Sequence, residues 1–148
     1  MARKCLLPAF ITPMLAQPGQ PFDSPDYLFE VKWDGTRALV FIEQGSYRIL
    51  NRRRFDATDR YPELAFFADM PEGTILDGEV IVLRDGKPDF GLLQSRDHSR
   101  SPLRVRTLAQ TTPVTYVAFD LLYFAYDSLL AEPLTERRRR LQDLIHHT

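Results

Sequence analysis

The chain has 148 residues, 44% of them hydrophobic and 26% charged, with 11 prolines and a formal net charge of -1. That length suits one domain with a real core; the composition excludes a disordered chain, and no apolar run approaches the roughly 18 residues of a membrane span. With acids and bases nearly balanced, the chain as a whole makes no electrostatic claim on nucleic acid.

Residues 1–10 carry basic side chains and a short apolar patch, but Pro8 interrupts it and no long apolar core with a small-residue cleavage site follows, so no signal peptide is expected. The single cysteine, Cys5, cannot form an internal disulfide and reads as a bystander; with the missing signal it favours a reducing cytoplasm. Residues 1–26 hold Pro8, Pro13, Pro18, Pro21 and Pro25, too many for a helix or a central strand, and are expected to form an extended, wrapping lead-in. Residues 27–148 then read as one α+β unit.

Residues 28–32 alternate as a strand, residues 37–43 are rich in Val, Ile and Phe, and residues 47–50 make a third strand after a Gln44-Gly45 turn, together an antiparallel meander. Residues 59–70 place Tyr61, Leu64, Ala65 and Ala68 at helical spacing, with Pro62 tolerated in a first turn. Residues 74–83 read as a strand pair or one bent strand, closed by Asp85-Gly86 as a tight turn. A helical turn is expected over residues 92–96, and residues 99–112 are polar and dotted with arginine. Residues 114–124, VTYVAFDLLYF, are the strongest candidate for a buried strand. Beyond Pro133, Leu134, Leu141, Leu144 and Ile145 form one stripe with arginines opposite, an amphipathic helix. The architecture expected is α+β, an antiparallel sheet with flanking helices.

The basic residues are nearly all arginine, clustered at Arg52, Arg53 and Arg54 and again at Arg137, Arg138, Arg139 and Arg140; only Lys4, Lys32 and Lys87 are lysines. Guanidinium forks suit phosphate, although such clusters are also ordinary solvated faces. His98, His146 and His147 lack metal-ligand spacing with any cysteine and read as surface residues. The stretch Lys32-Trp33-Asp34-Gly35-Thr36-Arg37 has two readings. It is a charged hairpin turn, Asp-Gly being a strong turn signal, or a strand pair presenting one lysine as a nucleophile. An amine attacks phosphorus only when unprotonated, and a free lysine titrates at about 10.4. Burial beside Trp33 or a neighbouring cation such as Arg37 would lower that value.

The Lys32 stretch closely resembles the lysine motif of covalent nucleotidyltransferases, in particular ATP-dependent DNA ligases. Further stretches resemble the same family in the same order: TPMLAQP and PFDSPDYLFEVKWDG leading in, then NRRRFDATDRYPEL, LDGEVIVL, DFGLLQSR, YVAFDLLYF and EPLTERRRRLQDL. The likeness is nearest to the ligase domain of bacterial end-joining repair enzymes. RNA ligases and mRNA-capping guanylyltransferases share the lysine motif, but the lead-in and DATDRYPEL favour DNA ligase. The fold so implied is a partial ATP-grasp-like nucleotidyltransferase domain. The resemblance makes Lys32 the AMP acceptor, Glu30 a contributor to adenine recognition and Arg37 a phosphate ligand. It makes Arg52 a contact to ribose or triphosphate, Glu79 the carboxylate that binds the ribose hydroxyl or assists Mg²⁺, and Phe119 the aromatic that stacks on adenine. Asp34 is a weaker candidate for positioning the nick. ATP and Mg²⁺ are the implied cofactors, and nicked or broken double-stranded DNA the implied substrate.

The sequence departs from the family's pattern in places. Arg54 stands where the second motif usually has glycine, and the usual glycine turn near Tyr126 is missing. After Phe124 there is no Glu-Gly pair and no lysine, so the later family motifs and the OB-fold domain are absent. The resemblance therefore implies the N-terminal half of an adenylylation domain, inactive or very weak alone. The alternatives are half of a split ligase needing a second chain, or a non-catalytic nucleotide-binding remnant.

Overall fold

The structure, a computed structural model, describes residues 6–146, so Cys5 and His147 lie outside the described residues. Every strand pairing in it is antiparallel. Strand β1 (Thr36–Glu43) turns at Gln44 and Gly45, both with φ near +60°, into β2 (Ser46–Asn51). Two short 3-10 segments, Thr58–Arg60 and Pro62–Asp69, lead to the long strand β3 (Thr74–Arg84). The Asp85-Gly86 turn then folds β4 (Lys87–Pro88) back on β3. Helix α1 (Phe90–Asp97) is capped by the Asp89 carboxylate, which accepts from the Leu92 amide at 2.9 Å. Helix α2 (Pro102–Thr111), strand β5 (Val114–Phe124), β6 (Asp127–Ser128) and helix α3 (Leu134–His146) complete the described residues. The sheet runs β2-β1-β3-β5-β6, with β4 beside β3. This is the α+β architecture expected.

Period-2 alternation divides the sheet into two faces. Ala38, Val40 and Ile42 of β1 pack with Leu76, Val80 and Val82 of β3 against Tyr61, Leu64, Phe67, Leu93, Leu141 and Leu144, the larger core. Leu39, Phe41, Leu50, Ile75 and Leu122 look the other way and are covered by Leu7, with Phe10 and Ile11 beside it. The lead-in is held there by the Leu7 amide, which donates to Glu43 Oε2 at 3.3 Å.

Several elements differ from the sequence expectation. Residues 28–32 form no strand: Leu28, Phe29 and Val31 are exposed and their backbone joins no ladder. Alternation alone cannot make a strand without a partner edge. Residues 59–70 form 3-10 turns where an α-helix is expected, broken at Tyr61 (φ -128°) before Pro62, which has no amide to donate. Residues 74–83 belong to one long strand. In β5 only Val114, Leu121 and Leu122 are buried, so it is half-covered, while β1 and β3 carry most of the buried strand positions. In α3 Leu141 and Leu144 are buried, whereas Leu134 and Ile145 lie on the exposed flank of the stripe. Residues 102–111 fold as α2 although only Val105 among them is buried.

Candidate active site

Three charged side chains meet on the less covered face of the sheet, and the register explains why. Arg37 and Glu79 are cross-strand partners on β1 and β3, and Leu39 pairs with Asp77, so Arg37 lies diagonal to Asp77 on one face. Arg37 grips Asp77 bidentately: Nε donates to Oδ1 at 2.6 Å and Nη2 to Oδ2 at 2.7 Å. Nη2 also donates to the Met14 carbonyl at 3.1 Å, tying the lead-in to the cluster. The guanidinium lies over the Phe119 ring, 4.6 Å from its centroid.

Phe119 reaches this position through an irregularity in β5. The register steps from Gly78↔Ala118 to Asp77↔Asp120, leaving Phe119 unpaired as a bulge. Such a bulge re-aims a side chain and shifts the phase of the residues beyond it, and here Leu121 returns to the packed face. Gly78 allows the close approach of β5 at this point: a methyl there would stand 2.4 Å from the Val117 carbonyl oxygen. The Tyr116 hydroxyl donates to the Ala38 carbonyl at 3.0 Å and pins the same crossing.

The electrostatics follow from partial burial. Burial pushes the Asp77 carboxyl up, against the hydrogen bonds from Arg37 that pull it down. Burial likewise lifts Glu79 above its usual range, opposed by the charge of Arg37, a hydrogen bond from the Gly35 backbone and the charge of Lys32. For Arg37, burial works to lower the value but is outweighed by the bond and charge of Asp77, and it ends raised. Glu79 is thus a half-buried carboxylate flanked by two cations, with no ion pair of its own among the described residues.

Lys32 is placed differently from the expectation. It is exposed, on an unpaired segment, beside a half-buried Trp33. The expected burial of Lys32 is therefore not found, since residues 28–34 run outside the ladder. Both ends of the segment are nevertheless fixed. Glu30 pairs with Arg138 of α3, which also donates to the Phe119 carbonyl at 3.2 Å. Gly35 sits so close to β3 that a methyl on it would stand 2.2 Å from the Val80 carbonyl oxygen. Thr36 Oγ1 then donates to Asp97 Oδ2 at 2.9 Å, and Tyr61 donates its hydroxyl to the other oxygen of Asp97. Behind this strut Arg96, 1% exposed, donates to Glu63, to the Arg60 carbonyl and to the Thr112 carbonyl.

The structure brings Arg37, Glu79 and Phe119 together, with Lys32 within electrostatic reach of Glu79. Glu30 is exposed and engaged by Arg138, and Asp34 is exposed on the loop itself. Arg52 is exposed just past the end of β2, with no ion pair among the described residues, and nothing ties it to the cluster. Asp77, Asp97 and Arg138 were not anticipated as site-building residues. The LDGE run, with carboxylates two apart on one strand, was the available signal for Asp77. The arginines of α3 are not a free phosphate-binding face: Arg137 grips Asp120 at 2.8 Å, while Arg139 and Arg140 bind Glu136.

The cluster lies on an open face, and it lines neither the recess of about 390 Å³ between Phe124 and α3 nor that of about 410 Å³ at the α1–α2 junction. Among the described residues no three His, Cys, Asp or Glu side chains group as a metal site, and no helix is long and apolar enough to cross a membrane.

Comparison with known proteins bears on this arrangement. A family profile described as ATP dependent DNA ligase domain matches residues 13–148. DNA ligase C of Mycobacterium tuberculosis is 37% identical over 137 residues, a match covering 91% of this chain and 38% of that protein. The multifunctional non-homologous end joining protein LigD of Mycolicibacterium smegmatis is 34% identical over 142 residues, covering 93% of this chain and 17% of that protein. Among solved structures, the ligase domain of M. tuberculosis LigD superposes with a TM-score of 0.65 at 34% identity, covering 80% of this chain and 37% of that one. A mycobacterial DNA ligase D complexed with ATP and MES superposes with a TM-score of 0.64 at 34% identity, covering 79% of this chain and 36% of that one. The chain thus spans well under half the length of each of these relatives.

Proposed function

Because this chain belongs to the ATP-dependent DNA ligase domain family, we propose that its residues 27–148 form the first part of an adenylylation domain, preceded by the lead-in of residues 1–26. In the complete reaction the Lys32 amine attacks the α-phosphorus of ATP, a phosphoramide bond to AMP forms and pyrophosphate leaves. AMP then passes to a 5′-phosphate at a nick in double-stranded DNA, and the 3′-hydroxyl displaces it to seal the strand. The work belongs to cytoplasmic DNA repair by end joining.

The single observation that carries this reading is the convergence of Arg37, Glu79 and Phe119 on one open sheet face, with the Lys32 segment alongside. Glu79 is the group free to accept from a ribose hydroxyl. Phe119 offers a ring face to adenine once the Arg37 guanidinium shifts towards phosphate, and Arg52 and Glu30 serve as outer contacts to the nucleotide. Asp34 is assigned the positioning of the nick. A divalent cation held at Glu79 would draw most of its ligands from phosphate oxygens and water, the normal arrangement for Mg²⁺, which fits the lack of a three-residue acidic or histidine cluster among the described residues. Bound there, the ion would neutralise charge on the phosphates.

On this reading the chain alone is inactive or very weak, because Lys32 is exposed on a segment outside the ladder, with no groups placed over it to hold an α-phosphate against its amine. Incubation of the pure chain with Mg²⁺ and ATP labelled at the α-phosphate tests this. Little or no adduct is expected from the chain alone, and adduct on Lys32 is expected when a polypeptide supplying the later part of a related ligase domain is added. Ready labelling of the pure chain would overturn the first statement, and labelling elsewhere than Lys32 the second.

The exposure of Phe22, Tyr27, Leu28, Phe29 and Val31 favours a second reading, a split ligase in which another polypeptide packs on this segment. Phe22 stacks edge-on against Tyr27 at 4.9 Å and lies 5.5 Å from Phe29, so these side chains form one apolar patch.

A further inference from the structure

Half of the 16 arginines of this protein are committed to ion pairs. Arg37, Arg48, Arg84, Arg96, Arg137, Arg138, Arg139 and Arg140 each hold a carboxylate. Arg100, Arg104 and Arg106 hold none among the described residues, and residues 98–119 contain no Asp or Glu at all. This stretch is therefore a local excess of positive charge in a chain whose net charge is -1. Two of these three guanidiniums, Arg100 and Arg104, line the recess of about 410 Å³ at the α1–α2 junction, with Ser95, His98, Ser99 and Ser101.

The lining discriminates between anions. None of its lining residues is of an apolar type, so the recess offers a partner charge and polar side chains rather than an apolar anchor. Guanidinium forks match phosphate oxygens, and of the three serine hydroxyls those of Ser95 and Ser99 already donate to the Gly91 and Ser95 carbonyls. The Ser101 hydroxyl makes no capping bond to α2, and the partial positive charge of the helix start adds to the same field. The recess also has a defined place relative to the Lys32 segment. Its lining residues Ser95 and His98 flank Asp97 in the chain, and the Asp97 carboxylate accepts from Thr36 at 2.9 Å, at the end of the sheet where that segment enters β1.

We infer that this recess docks backbone phosphates of the duplex DNA flanking the nick, with Arg100 and Arg104 as direct contacts and Arg106 adding to the field. The inference rests on the ligase reading for the identity of the nucleic acid, but its test needs no nucleotide transfer.

The test is fluorescence anisotropy of the full chain with a labelled, nicked DNA duplex over a range of salt concentrations. Variants are the double substitution Arg100→Gln/Arg104→Gln and, as control, Arg139→Gln. All three positions are exposed, and thermal melting confirms that each variant folds. The double variant is expected to bind about tenfold more weakly at low salt, with the slope of log affinity against log salt reduced by about 2, and the control to match the parent. Unchanged affinity and slope, or no duplex binding by the parent chain, would overturn the inference. So would inorganic phosphate displacing the duplex at equal phosphate concentration, which would mark a free-anion site, or polyglutamate binding that shows the same loss, which would mark an acidic protein partner. Failure of Lys32 labelling would leave these readouts standing, so the two claims separate.

Discussion

The segment carrying Lys32 and the cluster of Arg37, Asp77, Glu79 and Phe119 are neighbours built by opposite means. The cluster is fixed by strand register: Arg37 faces Glu79 across the ladder, Asp77 lies diagonal to it, and a bulge turns Phe119 onto the guanidinium. The Lys32 segment has no ladder and is held only near its ends, at Glu30 through Arg138 and at Gly35 through its contact with β3. The difference teaches where precision resides. Glu79 and Phe119 are placed by the sheet, with the Arg37 guanidinium held between Asp77 and the Phe119 ring, whereas the assigned nucleophile sits on a tether whose position depends on what packs over it.

The sharpest way to break the cluster is Arg37→Ala. It leaves the Asp77 carboxylate, 5% exposed, without its partner, and is expected to cost about 4 kcal/mol in urea unfolding. The double variant Arg37→Met/Asp77→Leu should recover most of that loss, because it removes the stranded charge as well. Failure to recover would mean that the pair does more than neutralise itself.

Gly35→Ala attacks the tether. The added methyl meets a backbone carbonyl at 2.2 Å, which cannot swing aside as a side chain would. A loss of about 2–3 kcal/mol is expected, measured in the same way, and an unaffected midpoint would show that the segment is not anchored at this glycine.

A smaller effect is expected from pH. Glu79 and Asp77 both titrate above their ordinary values because of burial. The folded chain therefore holds protons that the unfolded chain has released, and stability grows as pH falls through the raised folded values towards the ordinary carboxylate range. It is lost as pH rises through them. Glu79→Gln should be more stable than the parent at neutral pH, the difference closing near the ordinary glutamate value of 4.5. A parent that gains nothing on mild acidification would contradict the sign.

The smallest effect is expected on the tether's exposed face. Val31, 69% exposed, should tolerate Val31→Ser within about 0.5 kcal/mol, read as a thermal midpoint. A larger loss would show that the segment is packed more firmly than its exposure indicates.

Much of the fold was legible because turn chemistry and alternation agreed. Gln44-Gly45 and Asp85-Gly86 marked tight turns that carry positive φ as such turns require. The amphipathic stripe found α3 through Leu141 and Leu144. Residues 28–32 misled, since alternation records which side of a strand is apolar and not whether a neighbouring edge exists. Helix α2 offered too little apolar signal, with only Val105 buried. The bulge at Phe119 and the diagonal from Arg37 to Asp77 are properties of register, which one strand's sequence does not carry. The two places where glycine was missed from the family's pattern are instructive: Arg54 (φ 65°), Ala125 (φ 50°) and Tyr126 (φ 70°) occupy the left-handed region that glycine would enter freely. This chain adopts that backbone conformation there without the residue that makes it easiest.

The central claim is that the strand-held cluster is a seat for ATP. Trp33, the only tryptophan in the chain, adjoins Lys32 and reports on that seat by its fluorescence during titration with ATP and Mg²⁺. The account predicts saturable binding that weakens about tenfold in Glu79→Ala and in Phe119→Ala, each loss corresponding to about 1.4 kcal/mol, and that is unchanged in Arg84→Ala, whose partner is Asp89 near the β3–β4 turn. No saturable binding, or binding indifferent to Glu79 and Phe119, would contradict it.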